Sequence, residues 1–159
     1  MSAQKEVITM EIAELYREYK QSIYRLALTW LRSVSEAEDV TQETFLRLVE
    51  WGSRVQPGKE KAWLMKVTAN LCRDRLRARK RQAEEPLSEQ LPGMNPAHSE
   101  VLEAVLQLPV KERTVVYLYY FEGYSTMEIA AIRGCSRSAV SKWLAQARVH
   151  LKSRLEAFE

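Results

Sequence analysis

Glycine is scarce in this 159-residue chain, with five in all and none clustered, so no glycine-rich phosphate loop can be drawn. No nucleophile elbow and no acid/base pair in a defined pocket stands out either, which leaves an enzyme as the weak hypothesis. Cysteine is limited to Cys72 and Cys135, far apart in sequence, and both read as small apolar thiols rather than a disulfide. The two histidines, His98 and His150, have no other ligand types near them, so neither a metal nor any other cofactor is expected. Long apolar runs are missing too, and no basic segment followed by a hydrophobic stretch opens the chain. The expectation is a cytoplasmic protein without signal peptide or membrane insertion. Charge of one sign is not in large excess: the net +3 says little about partners, and its distribution says more.

What is present is helical periodicity. Apolar residues make up 46% of the chain, enough for a folded core. The stretch from Tyr124 to Leu155 organises the rest. Ser125 and Glu128 form a capping box that starts a short helix through Ile129, Ala130 and Ile132. Gly134 can take the left-handed conformation that stops it, and Ser136 is placed to cap the next helix. That second helix puts Val140, Leu144, Ala147, Leu151 and Leu155 on one stripe, while Arg137, Ser138, Ser141, Lys142 and Arg148 fall largely away from it. A helix pair with a cationic outer face is what a DNA major groove admits, whereas an ordinary helical hairpin would leave the agreement of turn, caps and basic face unexplained.

Upstream, Ile12, Leu15, Tyr16, Tyr19, Ile23, Ala27 and Leu31 predict a long amphipathic helix from about Met10 to Leu31. After an interruption at 33–35, Ser35 and Glu38 suggest another capping box, opening a helix through Val40, Thr44, Phe45, Leu48 and Trp51. Its other side carries Glu36, Asp39, Gln42 and Glu43, which fits a solvated cluster favoured by the helix dipole as well as a docking surface. Pro57 and Gly58 mark a loop over 52–59. A third helix begins near Glu60, with Trp63, Leu64, Val67, Leu71 and Leu76 as its approximate inward stripe. Arg73, Arg75, Arg77, Arg79, Lys80 and Arg81 then follow, opposed only by Asp74. Cations this close repel, so a nearby anion is the better explanation, and DNA phosphate is the natural one.

Residues 83–103 contain Glu84, Glu85, Glu89, Glu100 and Glu103 but no Lys or Arg, together with Pro86, Pro92, Gly93 and Pro96. This predicts a flexible acidic linker over 83–97, which could lie weakly across the basic helix end when DNA is absent. A second domain then starts near His98. Val101, Leu102, Val105, Leu106 and Leu108 make a short helix, and Pro109 is placed to begin another. The Val- and Tyr-rich run 114–121 has strand propensity, yet its helical flanks make it core for the last two helices. The fold class is therefore all-α: two small helical domains, 1–82 and 98–159, joined by the linker, the second containing the helix-turn-helix. Two modest DNA contacts joined in this way can act as one bipartite reader.

Three motifs in this order resemble the extracytoplasmic-function class of bacterial sigma factors, a group of the sigma-70 family. They are the run 37–48 (AEDVTQETFLRL), the run 62–77 (AWLMKVTANLCRDRLR), and Leu108-Pro109 with Arg113, residues 120–125, Glu128-Ile129-Ala130 and Gly134. The resemblance covers roughly 11–155. It implies contacts to the RNA polymerase core, through its beta and beta-prime subunits, at Asp39, Gln42, Glu43 and Phe45. It implies minus-10 DNA contacts at Trp63, Lys66, Asn70, Arg73, Arg75 and Arg77, with the loop 52–59 holding an unstacked base. Readout of the minus-35 promoter element falls to Arg137, Ser138, Ser141, Lys142 and Arg148. An anti-sigma factor is an implied partner. The sequence departs from the family where relatives often carry Lys or Arg, at Ser141, Trp143 and Gln146, so Trp143 either packs or stacks beside the DNA backbone. The competing expectation is a helix-turn-helix transcriptional regulator with an N-terminal sensing or dimerisation domain, which leaves the basic run and the acidic helix as accidents.

Overall fold

The computed structural model describes residues 2–82 and 99–156, so the expected linker lies outside the described residues. The all-α expectation holds. Helix α1 (Ser2–Leu31) packs on α2 (Val34–Trp51) and α3 (Glu60–Gln82), with a 3₁₀ turn over Gly52–Arg54 between the latter two. The second helical region contains α4 (Ser99–Leu106), α5 (Val110–Val116), a π turn over Tyr117–Phe121, α6 (Thr126–Arg133) and α7 (Arg137–Glu156). Here α4 and α6 pack on α7, and α5 joins them.

Helix α1 starts earlier than its apolar stripe predicts and ends on a left-handed residue, Arg32, with φ 54°. The next cap is Ser33 rather than Ser35: its hydroxyl accepts from the Glu36 amide at 3.3 Å. Once the left-handed turn is at Arg32, the extended backbone that an N-cap needs falls on Ser33, which the spacing of Ser35 and Glu38 does not reveal.

On α3 the buried residues are Leu64, Met65, Thr68, Ala69 and Cys72, so the inward face is rotated from the expected one. Trp63 and Leu71 are half-buried on the flank, because small and back-bonded residues let α1 and α2 approach closely on the other side. Thr44 and Thr68, with their hydroxyls on the Val40 and Leu64 carbonyls, meet at 3.2 Å across that contact. Val101 is exposed, while Val105, Leu106 and Leu108 are buried as expected. The run 114–121 is helical throughout, its last turn widened so that the Glu122 amide reaches back to the Tyr117 carbonyl at 3.2 Å.

The two regions touch. Helix α6 lies on α3 and α5 on α1, and a single cluster of buried apolar residues runs through both. Cys72 and Cys135 are free thiols, and burial pushes both up from their ordinary range. No described helix is long and apolar enough to cross a membrane, and no described cluster of His, Cys, Asp or Glu is arranged to hold a metal.

Candidate nucleic-acid and polymerase interfaces

The turn between α6 and α7 forms as its residue types require. The Ser125 hydroxyl accepts from the Glu128 amide at 3.2 Å, and the Glu128 carboxylate accepts from the Ser125 amide at 3.1 Å. That backbone bond, followed by the Ser125 side chain, holds the Glu128 carboxyl below its ordinary range. Gly134 takes φ 71°, and the Ser136 hydroxyl accepts from the Ala139 amide at 3.1 Å to open α7. With Val140, Leu144 and Ala147 buried against α4, α5 and α6, Arg137, Ser138, Ser141 and Lys142 are all exposed at the amino-terminal end of α7. Arg148 shares their side but lies about 9 Å beyond Lys142 along the helix. Its Nε donates to the Tyr120 hydroxyl at 2.9 Å, which raises its pKa, so it is tied to the π turn rather than gathered with the other four. Trp143 packs: Arg133 and Lys111 lie over its ring at 5.4 and 5.6 Å.

On α3, helical spacing sorts the expected set. Trp63, Lys66, Asn70, Arg73 and Arg77 recur at intervals of three or four and fall within an arc of about 80°. Arg75 does not belong to it. Its guanidinium points to α2, 3.8 Å from Asp39 and 4.0 Å from Glu36, and Arg79 joins it by pairing with Glu36 and donating to the Leu31 carbonyl. Asp39 is 62% exposed on its side chain, so the Arg75 contact orients more than it stabilises. Within the arc, Arg73 reaches Asn70 Oδ1 at 3.4 Å and also donates to the Arg133 carbonyl on α6.

The residues of α2 expected to dock divide by exposure. Asp39, Gln42 and Glu43 line a shallow site with Leu46, Arg47, Glu50 and Arg75. Phe45 is not on it: it is 6% exposed and stands edge-on to Tyr16 with ring centroids 4.9 Å apart. The residues missed are Leu46 and Val49, 61% and 60% exposed beside Gln42. Their signal was present as two apolar residues on a face otherwise polar, which a solvated helix has no reason to carry.

The loop after α2 has two unlike sides. One faces Glu11, Glu14, Glu18 and Glu60 across a cleft of about 440 Å³. The other presents Arg54 and Lys59 beside Trp63 and Lys66, across a cleft of about 520 Å³ closed by Tyr124, Glu128 and Ile132 of the second region.

Two family models match the chain: sigma-70 region 2 over residues 15–82 and sigma-70 region 4 over residues 98–151. Among similar curated proteins, the ECF RNA polymerase sigma factor SigE of Mycolicibacterium smegmatis is 32% identical over 89% of this chain, which spans only 60% of that protein's length. The ECF RNA polymerase sigma factor SigM of Bacillus subtilis is 31% identical over 91% of this chain and 94% of its own length. In fold, the chain is similar to the sigma factor RpoE of Bartonella quintana in its complex with the anti-sigma factor NepR, with a TM-score of 0.78 and 21% identity over 92% of this chain and 97% of that one. Since the match to the Bacillus protein runs nearly end to end and both regions are recognised in the expected order, this chain belongs to the extracytoplasmic-function sigma factors of the sigma-70 family.

Proposed function

We propose that the chain binds RNA polymerase core and directs it to promoters through a minus-10 and a minus-35 element. Residues 1–82 serve as the core-binding and minus-10 unit, 83–97 as the linker and 98–159 as the minus-35 unit. The observation that carries this reading is that two cationic helix faces, on α3 and α7, occur in one chain with a separate exposed face on α2 that mixes acids with leucine and valine. A duplex reader alone needs the first kind of face and not the second.

The roles divide by geometry. Arg137, Ser138, Ser141 and Lys142 enter the major groove of the minus-35 duplex by the amino-terminal end of α7, with Arg148 set further along the backbone. Trp63, Lys66, Asn70, Arg73 and Arg77 face the minus-10 strand. An unstacked base fits the basic side of the 52–59 loop, where Trp63 offers a stacking surface and Arg54, Lys59 and Lys66 offset phosphate charge. The acidic side would repel the same strand. Core polymerase meets Asp39, Gln42, Glu43, Leu46 and Val49, while Phe45 supports that face from beneath and Arg75 orients Asp39. The polymerase supplies the nucleotidyl-transfer chemistry. An anti-sigma factor is a further partner, supported by the Bartonella RpoE complex.

The test is transcription from a pool of host genomic fragments by sigma-free polymerase with the purified chain added, with start sites sequenced. Starts sharing motifs near minus-10 and minus-35 are expected. A folded chain that neither binds core polymerase nor yields starts overturns the proposal.

A further inference from the structure

The cleft between the 52–59 loop and α6 holds more positive charge than the fold needs. Arg54, Lys59 and Lys66 line it, and all three are exposed. None of them forms a salt bridge among the described residues. Arg54 lies over the Trp51 ring at 4.7 Å, which holds its guanidinium without neutralising it. The one acid on the described lining, Glu128, accepts from the Ser125 amide at 3.1 Å as part of the α6 cap, so its carboxylate is already engaged. The first turn of α3 adds to the field, since Ala62 and Trp63 border the cleft and a helix start carries partial positive charge. Cations gathered round one cleft repel each other, and an anion between them relieves this.

The rest of the lining is of another kind. Trp63 is half-buried, with Val55 and Ala62 also on the cleft, and α6 contributes Ala131 and Ile132. The volume of about 520 Å³ is that of a site for one small molecule, a class that runs from about 300 to 1,000 Å³. A simple anion would leave the aromatic and apolar wall unused, and an apolar molecule would leave the cations unanswered. An aromatic ring system joined to several negative charges answers both, which is the composition of a nucleotide: bases stack on tryptophan and phosphates take lysine and arginine. A strand brings one phosphate with each base, whereas a free nucleoside triphosphate brings three to the three cations.

We propose that this cleft binds a free nucleoside triphosphate, with its base against Trp63 and its phosphates on Arg54, Lys59 and Lys66. The site goes beyond the reading of Trp63 and Lys66 as strand contacts, and rests on that reading in one respect: free nucleotide and promoter strand then compete for the same side chains.

The test uses the full chain in low salt, with ATP as the probe in isothermal titration calorimetry. Adenosine and inorganic triphosphate each carry half of its chemistry. ATP is expected to bind one per chain and at least about tenfold more tightly than either, because joining base to phosphates makes the second contact intramolecular. Lys66→Ala is expected to weaken ATP about tenfold, whereas Lys152→Ala removes an exposed cation that does not line the cleft and leaves ATP binding unchanged. Ala131→Trp, at an exposed position on the α6 wall, fills the cleft and is expected to abolish ATP binding while circular dichroism shows native helix content. ATP is also expected to displace a dye-labelled single-stranded DNA oligonucleotide from the wild type.

Equal affinity for ATP and inorganic triphosphate overturns the proposal, since the base then contributes nothing. So does ATP binding that survives Lys66→Ala undiminished, or a folded Ala131→Trp variant that binds ATP as the wild type does. ATP binding that Ala131→Trp abolishes, without displacement of the oligonucleotide, supports the nucleotide site and removes the minus-10 strand from it. Core polymerase binding by the same samples separates failure of this site from failure of the sigma reading: a chain that binds core but not ATP loses the site alone.

Discussion

The two helices proposed to face DNA carry similar chemistry in opposite circumstances. On α7, the groups at the amino-terminal end are exposed among the described residues, with Val140 and Leu144 beneath them. On α3, Trp63 and Arg73 are half-covered by a helix from the other end of the chain. The first helix presents its cations to solvent. The second turns part of its cationic face towards α6. A cationic face thus states an affinity for phosphate, and its neighbours decide when that affinity is expressed.

The largest expected effect breaks the contact itself. Arg113→Ala leaves carbonyls of Thr29, Trp30 and Leu108 without their donor, and buried bonds to a charged group make this cost about 3 kcal/mol. Denaturant unfolding should change from one transition to two as the regions uncouple. A single transition with an unchanged midpoint would show that Arg113 does not join them.

Next in size is readout on the exposed helix. Arg137→Ala or Lys142→Ala should weaken minus-35 use by about 1–3 kcal/mol if the side chain bonds a base edge, with the fold intact because both are exposed. Equal losses on specific and scrambled duplex would identify a phosphate contact instead. Leu46→Glu should then lower core polymerase affinity about tenfold, or about 1.4 kcal/mol, and leave DNA binding by α7 unchanged. Unaltered core affinity would remove α2 from the polymerase interface.

Much of this was legible in the sequence because it is local. The Ser125–Glu128 box, Gly134 and the α7 stripe each depend on residues within one or two turns, and all form as expected. The division of the α3 arginines is legible in principle, since the spacing already sets Arg75 apart from Arg73 and Arg77, although their shared charge reads as one strip. The burial of Phe45 likewise follows from its place on the stripe with Leu48, whereas the resemblance to the family implies a contact there. What no local pattern holds is the meeting of Arg113 with the end of α1 and of Arg133 with Trp30, since those partners lie some 80 and 100 residues apart and are joined only by tertiary packing.

The smallest prediction compares how the two regions end a helix. Both α1 and α6 stop on a left-handed residue, but α6 uses Gly134 at φ 71° and α1 uses Arg32 at φ 54°. A side chain there costs roughly 1 kcal/mol that glycine does not incur. Arg32 also sits near enough to Arg113 to disfavour its charge. Arg32→Gly removes the steric cost and the repulsion at once, against the larger chain entropy that glycine loses on folding, so a net gain of about 0.5–1 kcal/mol is expected in thermal or denaturant unfolding. The gain should depend on the contact between the regions. With Arg113 already replaced by alanine, the repulsive part has no partner, and Arg32→Gly should gain less than in the wild type. Equal gains in both backgrounds would mean that Arg32 acts through its backbone alone and plays no part in how the second region meets α1.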